Sequence, residues 1–213
     1  MSIVTIIDYG LGNILSVQKA VEFSGAKAEI TSDFKKISKA KKIILPGVGA
    51  FGTAMTNLKE RKLDLSLNDA VNNGSLLFGI CLGMQLFFKS SDEFSKSQGL
   101  DFFEGHIEEI PKKNSANKKI KIPHIGWGNL LLHDTNNELC KFVMQDLREG
   151  DSVYFIHSYM AKMKDPSYIA ATSVYEDNVI PSIVANRNII GCQFHPEKSG
   201  AIGLRIIKRF INV

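Results

Sequence analysis

The sequence predicts an α/β protein, a three-layer sandwich built on a mainly parallel central sheet. Three observations lead there. Short apolar segments alternate with helical patterns through the first eighty residues. Two of these segments, Lys42 to Leu45 and Ser75 to Ile80, are apolar rather than alternating, as strands buried on both faces are. Three of the segments end in a glycine-bearing turn: Tyr9-Gly10-Leu11-Gly12, Pro46-Gly47-Val48-Gly49 and Cys81-Leu82-Gly83.

Taken in order, Ser2 to Asp8 reads as a strand, with Ile3, Val4, Ile6 and Ile7 as β-formers. From Asn13 the spacing turns helical at Ile14, Val17 and Val21, and Gly25 supplies the stop. Ala28 to Thr31 and Lys42 to Leu45 are further short strands. A helix is predicted over Thr53 to Lys59, another before Asn73-Gly74, and then an apolar strand from Ser75 to Ile80 that runs into Cys81. The later half is richer in strand: Val153 to Ile156, Tyr168 to Val174, Ser182 to Ala185 and Ile189 to Phe194 read as extended. A final helix after Glu197 carries Ile202, Ile206, Phe210 and Ile211 on one face. With no repeat and no low-complexity linker, residues 1–213 read as a single domain.

Composition narrows the function classes. Apolar residues make up 44% and charged residues 23% of the 213, which excludes a disordered tail or a fibre. No apolar run approaches the ~18 residues of a membrane helix. No basic segment precedes the first apolar stretch, so a cytoplasmic protein is expected. The net charge of +4 gathers at Lys35, Lys36, Lys39, Lys41 and Lys42, and again at Lys112, Lys113, Lys118, Lys119 and Lys121. Both runs read as solvated loops, without the interleaved aromatics or arginines of a nucleic-acid site. Three widely spaced cysteines form neither a zinc motif nor a disulfide framework. No metal or cofactor is expected.

Gly79-Ile80-Cys81-Leu82-Gly83 has the form of a nucleophile elbow between an apolar strand and a helix. Such a turn strains the nucleophile's backbone, needs small neighbours and aims a helix N-terminus at the sulfur. It also frees the Leu82 N–H for an oxyanion. A buried cysteine in a glycine-rich turn would share the pattern. A cysteine nucleophile needs a base and the base an orienter. Phe194-His195-Pro196-Glu197 offers both, although Glu197 would equally favour a helix start. His106, His124, His133 and His157 are rival bases without a carboxylate so close after a strand end. Pro46-Gly47-Val48-Gly49, after a parallel strand, fits a second oxyanion donor better than a phosphate loop, and an ordinary turn remains open.

With Met84 and Gln85 following the elbow, these residues resemble the class I (triad) glutamine amidotransferases. Five further blocks, in order along nearly the whole chain, resemble the glutaminase subunits of imidazole glycerol phosphate synthases: Ile7 to Asn13, Leu45 to Phe51, Ile122 to Trp127, Tyr154 to Tyr159 and Gln193 to Gly200. The resemblance implies Cys81 as nucleophile, His195 as base and Glu197 as its orienter. Val48, Gly49 and Leu82 would form the oxyanion hole, and Gln85, Glu93 and Ser158 would hold the glutamine. It also implies that Asn13, His124, Trp127, Tyr154 and Lys198 lie near the contact with a (βα)8-barrel synthase subunit. That heterodimer would turn the ammonia into imidazole glycerol phosphate and the carboxamide nucleotide of purine synthesis. One departure stands out. Gly126-Trp127-Gly128-Asn129 replaces or displaces the family's Gly-Trp-Asn, which leaves open a paralogue feeding ammonia to a sugar-amidating enzyme.

Overall fold

A computed structural model describes residues 2–213. The first half alternates as the apolar segments predict: β1 (Ile3–Ile7), α1 (Ile14–Phe23), β2 (Lys27–Thr31), α2 (Phe34–Ile37), β3 (Lys42–Leu45), α3 (Phe51–Glu60), α4 (Leu63–Asn72), β4 (Leu76–Ile80) and α5 (Leu82–Gln85). Then come β5 (Phe88–Ser91), β6 (Ser97–Gln98), β7 (Phe103–Glu109), β8 (His124–Asn129), β9 (Leu131–Leu132), α6 (Glu138–Met144), β10 (Ser152–His157) and β11 (Tyr159–Met163). The chain closes with β12 (Ile169–Tyr175), β13 (Asn178–Asn186), β14 (Ile189–Cys192) and α7 (Gly200–Ile211).

The main sheet runs β2-β1-β3-β4-β14-β13-β12-β9. Its first five strands are parallel; β13, β12 and β9 continue it antiparallel. One face is covered by α1, α6 and α7, through Val17, Val21, Val143, Ile207 and Phe210. The other is covered by α3 and α4, through Met55, Leu58 and Leu67, and by the four-stranded sheet β11-β7-β5-β6. Those are the three layers the sequence predicts. Burial of β-branched side chains on both faces drives their assembly, at ~1.5–3 kcal/mol for each fully buried large side chain.

Two features differ from the sequence reading. The first lysine run is not all loop: Lys35 and Lys36 sit in α2, capped by Asp33, whose carboxylate accepts the Lys35 and Lys36 N–H groups, while Lys42 begins β3 as the strand reading expects. The second run is a loop, closed by a bridge between Lys113 and Lys119. The smaller sheet and the β8–β10 ribbon were not anticipated. Phe103–Glu109 carries four polar or charged residues in seven, and His124–Asn129 holds two glycines, so neither reads as a strand from its apolar content. Among the described residues no helix is long and apolar enough to cross a membrane.

Candidate active site

The site lies where parallel strands end, as expected for an open α/β sheet. Strand β4 delivers Cys81 in a left-handed backbone conformation, φ +54° and ψ −112°. A non-glycine residue there costs of order 1–3 kcal/mol and must be held by its surroundings. The two elbow glycines are part of that hold. A Cβ on Gly79 would lie 2.5 Å from the Phe87 ring, and one on Gly83 would sit 1.8 Å from the Leu45 carbonyl oxygen. The elbow therefore packs directly on the end of β3. Gly47 continues this packing, because a Cβ there would meet the Gly83 nitrogen and the Tyr9 hydroxyl, each at 2.7 Å. Tyr9 donates its hydroxyl proton to Pro46 O at 2.9 Å and so ties the Pro46–Gly49 loop to the end of β1.

Helix α5 is one turn long, so the macrodipole expected from a longer helix reduces to its first N–H groups. As its first residue, Leu82 has an N–H with no intrahelical acceptor. Val48 and Gly49 line the same cleft as Leu82 and Cys81. Gly49 has φ +104°, with open space where a side chain would be.

His195 and Glu197 come from the turn after β14. His195 Nδ1 lies 2.9 Å from Glu197 Oε1, and their side chains are 4% and 1% exposed. This bond leaves the other ring nitrogen available to Cys81, which lines the same cleft. Burial alone would lower the imidazole pKa. The hydrogen bonds and charges of Cys81 and Glu197 outweigh it and lift the ring to about 10. The ring's backbone is pinned as well: His195 N–H donates to Tyr154 O at 2.9 Å, and the Ser199 hydroxyl donates to His195 O at 2.7 Å. The other two cysteines have no such setting. Burial pushes the Cys140 thiol up to about 12 and the fully enclosed Cys192 thiol well above its ordinary value.

The rival histidines are otherwise engaged. His106 pairs with Glu108 at 3.2 Å outside the cleft, and His133 bonds Thr172 at 2.9 Å. His157 lines the cleft, but its Nδ1 donates to Tyr159 O at 2.9 Å. Its Nε2 must then accept, and His124 Nδ1 donates to it at 3.1 Å. Burial holds both rings neutral, His124 at about 4 and His157 at about 3.

The cleft encloses about 450 Å³ and is lined by Gln85, Glu93, Ser158, Ile156 and Lys198 as well as the groups above. Gln85 and Glu93 also have structural work. The Gln85 amide donates to Tyr159 O at 3.0 Å, and Glu93 accepts the Phe51 N–H at 2.6 Å at the start of α3. Burial raises the Glu93 pKa, and the Phe51 N–H opposes that rise. A larger cavity, about 920 Å³, opens at the opposite ends of the strands between Ile3, Lys39 and Lys42, far from any nucleophile.

Of the residues expected near a partner, Trp127 and Tyr154 pair across β8 and β10, ring centroids 5.7 Å apart, and Trp127 is 58% exposed. Exposed Ile125 extends this face. Asn13 begins α1 without capping it; its amide reaches Glu197 Oε1 at 3.5 Å. Lys198 is exposed at the cleft. His124 differs. It is 4% exposed, stacked on Phe155 and Tyr175, and faces inward with His157. Gly128 also points inward: a Cβ there would lie 2.8 Å from Ser173 Oγ and 3.0 Å from Phe155. Gly128 is thus closely packed, and Asn129 takes an outward position on the same strand as Trp127. The sequence reading missed Tyr9 and Gln193 as site supports. Tyr9 carried a signal, being a large polar side chain at the end of an apolar strand.

A strained cysteine, a buried histidine–carboxylate pair and a backbone loop meet at the ends of parallel strands, the arrangement of a cysteine-nucleophile enzyme of α/β fold. The class-I glutamine amidotransferase family matches residues 5–213, and this chain belongs to it. Among its relatives are imidazole glycerol phosphate synthase subunit HisH 1 of Legionella pneumophila, 37% identical over 100% of both chains, and subunit HisH of Listeria monocytogenes serotype 4a, 43% identical over 99% of this chain and 95% of that one. The fold is shared with a structure of PurLQS from Thermotoga maritima, TM-score 0.72 at 19% identity, covering 100% of this chain and 99% of that one.

Proposed function

We propose that this chain is the glutaminase subunit of an imidazole glycerol phosphate synthase. It would hydrolyse glutamine in the cytoplasm, as one amidotransferase domain, and pass the ammonia to a HisF-like (βα)8-barrel partner in a heterodimer. The barrel would make imidazole glycerol phosphate and the carboxamide nucleotide in histidine biosynthesis. The observation that carries this reading is the buried Cys81–His195–Glu197 constellation in a chain whose full-length relatives bear the HisH name.

The chemistry follows from the geometry. Glutamine enters the cleft beside Gln85, Glu93 and Ser158. Cys81 Sγ attacks the side-chain carbonyl carbon, and His195 takes the thiol proton. The oxyanion is met by the Leu82 N–H and by the Val48–Gly49 backbone. The C–N bond breaks as His195 returns the proton to nitrogen, and ammonia leaves. A glutamyl thioester remains on Cys81. Water, deprotonated by His195, attacks it and releases glutamate. Glu197 holds His195 in the tautomer with hydrogen on Nδ1 throughout. No cofactor enters.

The exposed Ile125 and Trp127 on β8, with Tyr154 beside Trp127, form an apolar surface that would suit a protein partner. Glycine at position 49, with φ +104°, gives this loop a backbone freedom that other residues lack. A partner that completes the oxyanion hole by turning it would couple hydrolysis to ammonia demand. The test is complementation of a histidine auxotroph lacking its glutaminase subunit, with the cognate barrel supplied. Growth is the expected result. Failure to grow while the mixture still hydrolyses glutamine would favour the sugar-amidating paralogue.

A further inference from the structure

Gln193 is completely buried between β14 and His195, and the mechanism above does not use it. Its amide orientation follows from its neighbours. The Tyr159 carbonyl can only accept, so the Gln85 NH2 group faces it at 3.0 Å. The second hydrogen of that NH2 points at Gln193, 2.9 Å away, and requires the carbonyl oxygen of Gln193 there. The Gln193 NH2 group is therefore turned to the remaining side, where Cys81 Sγ lies at 3.8 Å. Gln193 is held from below as well, its backbone N–H donating to Ser182 O at 3.0 Å.

We infer that Gln193 is a fixed hydrogen-bond donor to the Cys81 sulfur, oriented through Gln85, and that it stabilises the thiolate form of the nucleophile. As a thiol, Cys81 donates its proton to Ile156 O at 3.7 Å. Once the proton is gone that bond is lost, and the Gln193 N–H and His195 remain as donors. The chain Tyr159–Gln85–Gln193–Cys81 ties the wall of the cleft to the attacking atom. The inference rests on Cys81 being the nucleophile.

The test is the pH dependence of Cys81 alkylation by iodoacetamide, followed by peptide mapping, in the full chain. Other groups that bear on this sulfur are His195 and Glu197 from the turn after β14, Tyr9 after β1, His157 on β10 and Cys192 on β14. All of them are kept in the variants. Gln193→Met removes the donor at similar volume. The alkylation midpoint is expected to rise by about one pH unit, the effect of losing one hydrogen bond to a charged group. With the barrel partner present, kcat for glutamine hydrolysis is expected to fall about tenfold, with a smaller change in KM. Gln193→Asn keeps an amide but draws it away from the sulfur, so it should show the same upward shift even if Gln193→Met does not fold. A folded variant with an unshifted midpoint would overturn the inference. Absence of Cys81 alkylation in the wild type at any pH would instead overturn the assignment of the nucleophile.

Discussion

Glu197 Oε1 meets His195 Nδ1 at 2.9 Å, while the second carboxylate oxygen of Glu197 is buried without a hydrogen-bond partner. One oxygen thus carries nearly all of the carboxylate's directed interaction. His195→Ala is expected to lose ~10²–10⁴-fold in glutamine turnover, the usual contribution of a general acid–base group. Glu197→Ala should lose less, because the orienter transfers no proton. Steady-state rates decide this. A His195→Ala enzyme within a few-fold of the wild-type rate would require another base, and His157 is the one lining the cleft.

The three cysteines should differ in reactivity. A glutamine-like electrophile is expected to label Cys81 alone, because burial holds the Cys140 and Cys192 thiols protonated. Mass spectrometry of the treated chain locates the label. Label on Cys140 or Cys192 in place of Cys81 would remove the elbow from the mechanism.

The His124–His157 pair should make folding stability depend on pH. Both rings have folded pKa values below the unfolded value near 6.5. Their contribution is therefore intact above about pH 6.5 and is lost as pH falls toward the folded values, since the unfolded chain binds protons first. Between pH 7 and pH 5 the loss is roughly 2 kcal/mol for each ring. Urea unfolding at the two pH values, in wild type and in His157→Asn, measures it. An equal pH dependence in both proteins would contradict the buried neutral pair.

Trp127 is exposed and packs on Tyr154 only at its edge. Trp127→Ala should change the stability of the isolated chain by no more than about 0.5 kcal/mol. As a central aromatic anchor it should weaken barrel binding by ~2 kcal/mol, about thirtyfold. Thermal unfolding and calorimetric titration with the barrel separate the two effects. Unchanged affinity would move the partner surface elsewhere.

Much of the fold was legible because the inner parallel strands are largely buried, and Lys42–Leu45 and Leu76–Ile80 then read as mostly apolar runs. The elbow and the His195–Glu197 pair were legible because their geometry is local, within a few residues of chain. What was not legible depends on distant contacts. Phe103–Glu109 becomes a strand through pairing with Phe88–Ser91 and Tyr159–Met163, not through its own composition. The inward orientation of His124 on β8 beside His157 was not legible, because no sequence spacing records which face Phe155 and Tyr175 will cover. Gln193 was invisible for the same reason: its partners Gln85 and Cys81 are more than a hundred residues away in the chain.

Glutamate release, measured for the chain alone, for the chain with its barrel partner and the barrel's nucleotide ligand, and for Cys81→Ala in the same mixture, tests the central claim most directly. The account expects weak turnover alone and a rise of ~10²-fold when the partner completes the oxyanion hole, the usual worth of one such donor. It expects none in Cys81→Ala at undiminished partner binding. Full activity in the isolated chain would contradict the gate, and activity surviving Cys81→Ala would contradict the cysteine mechanism itself.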